Sequence, residues 1–249
     1  AMAIMSALGN RVPASLKVFL TALAIMDDLG AVLVIAIFYG QDLHWIWLIT
    51  SFVIFGILLA CKRTGIQTLW FYLPVGVLLW YSMMQSGIHT TISGVLLAFA
   101  IPFGKKEENV SPSSYLMDKL HEPVALFILP LFALANTAIP ISSDTLGSIT
   151  GTLPLGIAAG LVLGKPMGIY LASVLSVKMN VARLPTESSF KHILGAGLLG
   201  GIGFTMAIFV ANLAFNDAAS IELSKLAVLI SSVIAAIVGY TFLRLIPKQ

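Results

Sequence analysis

The sequence has 249 residues, 58% of them hydrophobic and only 10% charged, well under half of the roughly 25% charged share of a soluble globular chain. Its 14 Lys and Arg outnumber its 11 Asp and Glu, but they stand singly or in pairs between apolar runs, which excludes a nucleic-acid-binding face. The single cysteine, Cys61, excludes an intramolecular disulfide, and no Cys/His spacing fits a zinc site.

A helix of about 20 apolar residues crosses a bilayer, and in lipid only helices or closed barrels satisfy the backbone. The runs here are too long for barrel strands. Residues 1–249 are therefore predicted as one all-α, polytopic membrane helical bundle. A partial span at 1–8 is followed by spans at about 14–38, 45–60, 66–84, 88–101, 123–140, 152–177, 192–215 and 223–246. Turn and breaker residues separate them: Gly9 to Pro13, Gly40-Gln41-Asp42, Lys62 to Gly65, the polar stretch Gly104 to Glu122, Ser142-Ser143-Asp144, and Leu184 to Glu187. Ala1 opens inside an apolar stretch with no charged residues before it. The sequence thus reads as a fragment with helices upstream, not as a signal peptide.

The distribution of Lys and Arg tests this layout. One side collects Arg11, Lys17, Lys62, Arg63, Lys105, Lys106, Lys119, Lys178, Arg183, Lys191, Arg244 and Lys248, and the other only Lys225. The C-terminus falls on the Lys-rich side and is expected in the cytoplasm. An odd number of further spans is then expected upstream if the true N-terminus is cytoplasmic too.

Of the acids, only Asp27 and Asp28 fall within a predicted span. At ~1.5 Å per residue, Asp27 lies about 20 Å from one end of that span and about 16 Å from the other. Lys165 sits mid-span in Gly164-Lys165-Pro166, at the same depth. Each such residue costs roughly 2.5–3.5 kcal/mol at a helix centre before pairing. One Asp with one Lys reads equally as a structural ion pair. Adjacent helix positions point about 100° apart, so a second acid can face a wet cavity, and a single pair has no need of it. Burial and like charge move carboxyl pKa values towards neutrality, while a nearby ammonium lowers them. Carboxylate oxygens also suit a small hard cation, with unwound backbone carbonyls completing its shell. If proton and cation compete for the same oxygens, and the site opens alternately to each side, the result is an antiporter.

The span at 192–215 holds Gly195, Gly197, Gly200, Gly201 and Gly203. Each glycine weakens a helix by about 1 kcal/mol relative to alanine, so a break is expected over Gly200, Gly201, Gly203 and Thr205. Close helix packing through small residues is the alternative.

Five separated motifs carry a resemblance. They are Arg11-Val12-Pro13 through Ala24-Ile25-Met26-Asp27-Asp28-Leu29-Gly30, Ser86-Gly87-Ile88-His89-Thr90-Thr91-Ile92-Ser93-Gly94, Leu129-Pro130-Leu131-Phe132-Ala133-Leu134-Ala135-Asn136, Gly164-Lys165-Pro166-Met167-Gly168, and Gly201-Ile202-Gly203-Phe204-Thr205-Met206. In this order they closely resemble NhaA-type sodium/proton antiporters. The resemblance implies a twelve-helix bacterial inner-membrane protein with inverted-topology repeats and discontinuous helices. It exchanges cytoplasmic Na+ or Li+ for external protons by alternating access, in pH and sodium homeostasis. Asp28 matches the principal cation and proton carboxylate, Asp27 a second carboxylate able to pair with Lys165, and Lys165 the intramembrane lysine. The transported Na+ is then the metal held by Asp27 and Asp28. No cofactor is implied, and the partners are Na+, H+, membrane lipid and a second copy in a homodimer.

The family's Thr-Asp dipeptide lies upstream of Ala1, so residues 1–249 alone are expected not to transport. His89, and His121 with Glu107, Glu108 and Glu122, are candidates for pH sensing; a packed helix-end histidine and a solvated loop are the plainer readings. Trp45, Trp47 and Trp70 read as interface anchors. An intramembrane aspartyl protease also needs two mid-membrane aspartates, but on two helices rather than adjacent on one. A serine version would pair Ser93 with His89.

Overall fold

The computed structural model describes residues 1–38, 43–103, 111–137 and 147–246, and among these every regular element is helical. The elements are α1 (Met2–Ala7), α2 (Ala14–Phe38), α3 (Trp45–Arg63), α4 (Leu69–Gln85), α5 (Thr91–Ala100), α6 (Pro112–Pro123), α7 (Leu129–Thr137), α8 (Thr152–Ala159), α9 (Lys165–Lys178), α10 (Phe190–Gly200), α11 (Phe204–Ala214) and α12 (Ala218–Leu245). Five continuous helical stretches among the described residues are long and apolar enough to cross a membrane: Ala14–Ile35, Trp45–Arg63, Pro112–Thr137, Thr152–Lys178 and Ala218–Leu245. The pair α10 and α11 makes a sixth if it is one broken span. The chain is an all-α multi-pass membrane protein. Helix α4 has 17 residues and α5 only 10, so α5 extends ~15 Å, half of a hydrocarbon core.

The polar stretch expected as a separator up to Glu122 is instead helical from Pro112. The Ser111 hydroxyl accepts from the Ser114 N–H at 3.2 Å, and Pro112 takes a first-turn position where a missing N–H costs nothing. These N-terminal signals outweigh the polarity of the segment.

Two helices widen for one turn ahead of a proline. Residues Val124–Ile128 form a π-helical turn in which the Leu129 N–H donates to the Val124 carbonyl, and Pro130 follows. Residues Gly160–Gly164 repeat the device: the Lys165 N–H donates to the Gly160 carbonyl, and Pro166 follows. A proline ring collides with the carbonyl four residues back. The wide turn makes room for the ring, so each helix continues where a sharp kink is the usual result.

The chain forms two compact units, residues 1–29 with 134–249 and residues 30–133. In the first, Met5, Leu16, Leu20, Ile193, Ala196, Leu199 and Leu243 form the core. Apolar residues face outwards as well, Val18 being 70% exposed, so close packing rather than polarity distinguishes the inner faces. Helix α12 packs on α8, α10 and α11, and its small residues Ala227, Ser231 and Ala235 are buried. A Cβ at Gly239 would lie 2.7 Å from Leu199 Cδ2, the close approach that small residues permit. Both ends of α12 are capped. The Asp217 carboxylate accepts from the Ser220 N–H at 2.8 Å, and hydrogen bonds from Ser220, side chain first, hold its carboxyl below the usual carboxylate range. Arg11 Nη1 donates to the Arg244 carbonyl at 3.0 Å, satisfying an acceptor that a helix C-terminus leaves open.

In the second unit α3, α4 and α5 pack together around Leu58, Tyr72, Leu79, Ala100 and Ile101. The Tyr72 hydroxyl donates to the Ile66 carbonyl at 2.9 Å. Trp45 and Trp70 lie at the starts of α3 and α4 and are 66% and 87% exposed.

Candidate functional site

Helix α2 carries Asp27 and Asp28 within an apolar stretch, and α9 begins with Lys165, directly after the wide turn. Lys165 Nζ donates to Asp27 Oδ2 at 2.6 Å, with the two side chains 24% and 44% exposed. Asp28 has no cation within ion-pair distance among the described residues. The two neighbouring carboxylates are therefore unequal: one is tied to an ammonium and the other is not.

The third element is the break. Helix α10 ends at Gly200, α11 starts at Phe204, and the two are bent by 51°. The non-helical link is Gly201–Gly203, shorter than the stretch expected from sequence, because Gly200 closes α10 and Thr205 is already in α11. Gly201 is enforced by sterics. A Cβ there would collide with the Leu161 carbonyl oxygen, in the same wide turn that precedes Lys165. At Gly203 a Cβ would lie 2.8 Å from Ala207 Cβ and 3.0 Å from Leu161 Cδ2. The turn before Lys165 and the broken helix are packed backbone to backbone.

A cavity of about 340 Å³ opens between these elements, and Asp27, Asp28, Lys165, Gly200, Gly203 and Thr205 all line it. Gly201 does not, since it is buried against Leu161. One side of the cavity is thus formed by the start of α11, where backbone N–H groups lack intrahelical partners, and by the end of α10, where the Gly201 and Ile202 N–H groups close the Gly197, Leu198 and Leu199 carbonyls. Below the break, Asn212 Nδ2 donates to Asn136 Oδ1 at 2.9 Å, linking α11 to α7.

The other sequence candidates lie elsewhere. His89 is in the turn between α4 and α5, where its carbonyl accepts from the Ile92 N–H at 3.2 Å. His121 and Glu122 are exposed on α6, a helix rather than a loop, while Glu107 and Glu108 lie outside the described residues. The Ser93 hydroxyl donates to the Thr90 carbonyl at 2.6 Å.

Sequence reasoning missed two contributors: the wide turn at Gly160–Gly164 and Ser232, whose hydroxyl accepts from the Phe204 N–H at 3.3 Å. The only sequence signal for the first is an X-Pro step inside an apolar run. For the second it is a pair of serines in α12.

The family described as Na+/H+ antiporter 1 matches residues 1–243. Among curated proteins, the chain is 53% identical to the Na(+)/H(+) antiporter NhaA of Flavobacterium psychrophilum over 249 residues, all of this chain and 65% of that protein. It is 52% identical to that of Dechloromonas aromatica over 246 residues, 98% of this chain and 63% of that protein. For Cytophaga hutchinsonii the figures are 48% over 249 residues, all of this chain and 64% of that protein. The chain thus spans just under two thirds of the length of these relatives. Its two aspartates, its lysine and its glycine-broken helix all fall inside the matched region, and the chain belongs to the Na+/H+ antiporter 1 family.

Proposed function

We propose that the full-length protein exchanges cytoplasmic Na+, or Li+, for external protons across the bacterial inner membrane, by alternating access. The observation that carries this reading is the pairing of unequal carboxylates with a broken helix around one cavity. Asp28 takes the cation or the proton. Asp27 is held by Lys165 when the cation is absent and becomes available when that pair loosens. Two carboxylates alone do not fill the shell of a hard cation, which takes six or more oxygens as Ca²⁺ does or keeps waters as Mg²⁺ does. The carbonyl of Gly200, last in α10 and not taken up by the bonds that close the helix end, is suited to add to it. The clustering of Lys and Arg favours a cytoplasmic C-terminus.

Proton and cation cannot both occupy the Asp28 oxygens, so loading one releases the other. That competition couples the two fluxes without a chemical step, and membership of an antiporter family argues for transport and against catalysis. An aspartyl protease needs its two acids opposed across a peptide, whereas here both are consecutive on α2.

The test is Na+-driven collapse of a preformed pH gradient in everted membrane vesicles. The full-length wild-type protein is expected to collapse the gradient and Asp28→Asn to leave it standing. Equal signals would eliminate the antiport reading, and cleavage of a membrane peptide would favour the protease.

A further inference from the structure

We infer that Ser232 is a positioning residue for the cation site: it caps the broken helix from outside. Three observations converge on it. First, α11 starts with no cap of its own. Its N-cap residue is Gly203, which has no side-chain oxygen to offer, whereas α6 and α12 are capped by Ser111 and Asp217. The first N–H groups of a helix have no partner within it and are satisfied from elsewhere.

Second, the Phe204 N–H at this start donates to Ser232 Oγ at 3.3 Å. Third, the hydroxyls of Thr50, Ser51, Ser82, Ser176 and Thr241 turn back onto the carbonyl four residues earlier in their own helices. Ser232 makes no such bond, and its hydroxyl, on a residue only 7% exposed, is turned across to α11. Its neighbour Ser231 is fully buried with its hydroxyl unpartnered, so burial on α12 does not by itself bring contact with the break. Phe204 and Thr205 both line the cavity that holds Asp27 and Asp28. Fixing the Phe204 amide therefore fixes the direction in which the first turn of α11 meets the ion.

This inference rests on the antiport reading. It predicts that Ser232→Ala, in the full-length protein, raises the apparent KM for Na+ about tenfold, the equivalent of ~1.4 kcal/mol, and changes maximal exchange by much less. Ser232→Thr, which keeps the hydroxyl, should restore the wild-type KM, and Ser231→Ala should not alter it. All four proteins are compared in everted vesicles at matched membrane levels. If exchange by Ser232→Ala falls below detection, the Na+-dependent rise in melting temperature of the purified protein is read instead, with the same rank order expected. The inference is overturned if Ser232→Ala stays within twofold of wild type, if Ser231→Ala raises KM equally, or if Ser232→Thr is no better than alanine. A wild type that shows no Na+-dependent exchange defeats the antiport reading itself, an outcome distinct from these.

Discussion

Lys165 and Asp27 meet at 2.6 Å, and their pairing offsets charges that would otherwise be costly in lipid. With the side chains 24% and 44% exposed, the pair falls between a surface salt bridge and a buried one. Lys165→Met is expected to destabilise the protein by about 1–3 kcal/mol, because it leaves Asp27 uncompensated. Adding Asp27→Asn should recover part of that loss, giving a coupling of about 0.5–3 kcal/mol in thermal unfolding in detergent. Strictly additive losses would mean that the two residues do not interact. These residues were legible in the sequence because an ionisable group in an apolar run is rare. Ser232 was not: a serine in a membrane helix normally satisfies itself on its own backbone, and nothing in the sequence tells which serine turns outwards.

At the scale of elements, the break between α10 and α11 depends on backbone contact with the wide turn at Gly160–Gly164. Gly201→Ala drives a Cβ into the Leu161 carbonyl, which is backbone and cannot swing aside. At Gly200 the nearest obstacle is the tip of Ile169, 3.1 Å away, a flexible side-chain end. Gly201→Ala should therefore lower stability by about 1–3 kcal/mol and Gly200→Ala by clearly less, as read by melting temperature; equal effects would rule out this packing. The Asp217 cap gives a pH dependence. Its carboxyl has a lower pKa folded than unfolded, so its contribution is present above the unfolded value and is lost as pH falls through the folded one. The melting temperature of Asp217→Asn should accordingly vary less with acidification than that of the wild type. A glycine cluster announces that a helix will break, and composition placed the break to within two residues. It did not reveal the π-helical turns, because a proline in an apolar run is compatible with a kink, a stop or a widened turn. Nor did it reveal helix α6, whose start is set by the Ser111 cap and Pro112 within a stretch too polar to read as a span.

For the whole molecule, length and hydropathy were enough to give an all-α membrane bundle, since lipid leaves the backbone few alternatives. The placing of α2, α9 and the broken helix around one cavity depends on side-chain packing between segments more than a hundred residues apart, which no local pattern encodes. The central claim is that Na+ and H+ contend for the same carboxyl oxygens. The apparent KM for Na+ of the full-length protein, measured as a function of pH, tests it most directly. Competition with one proton predicts that KM falls about tenfold for each unit of pH increase while the carboxyl is protonated, and levels off once it is ionised. An apparent KM that stays constant across the pH range, with only the maximal rate changing, would contradict it.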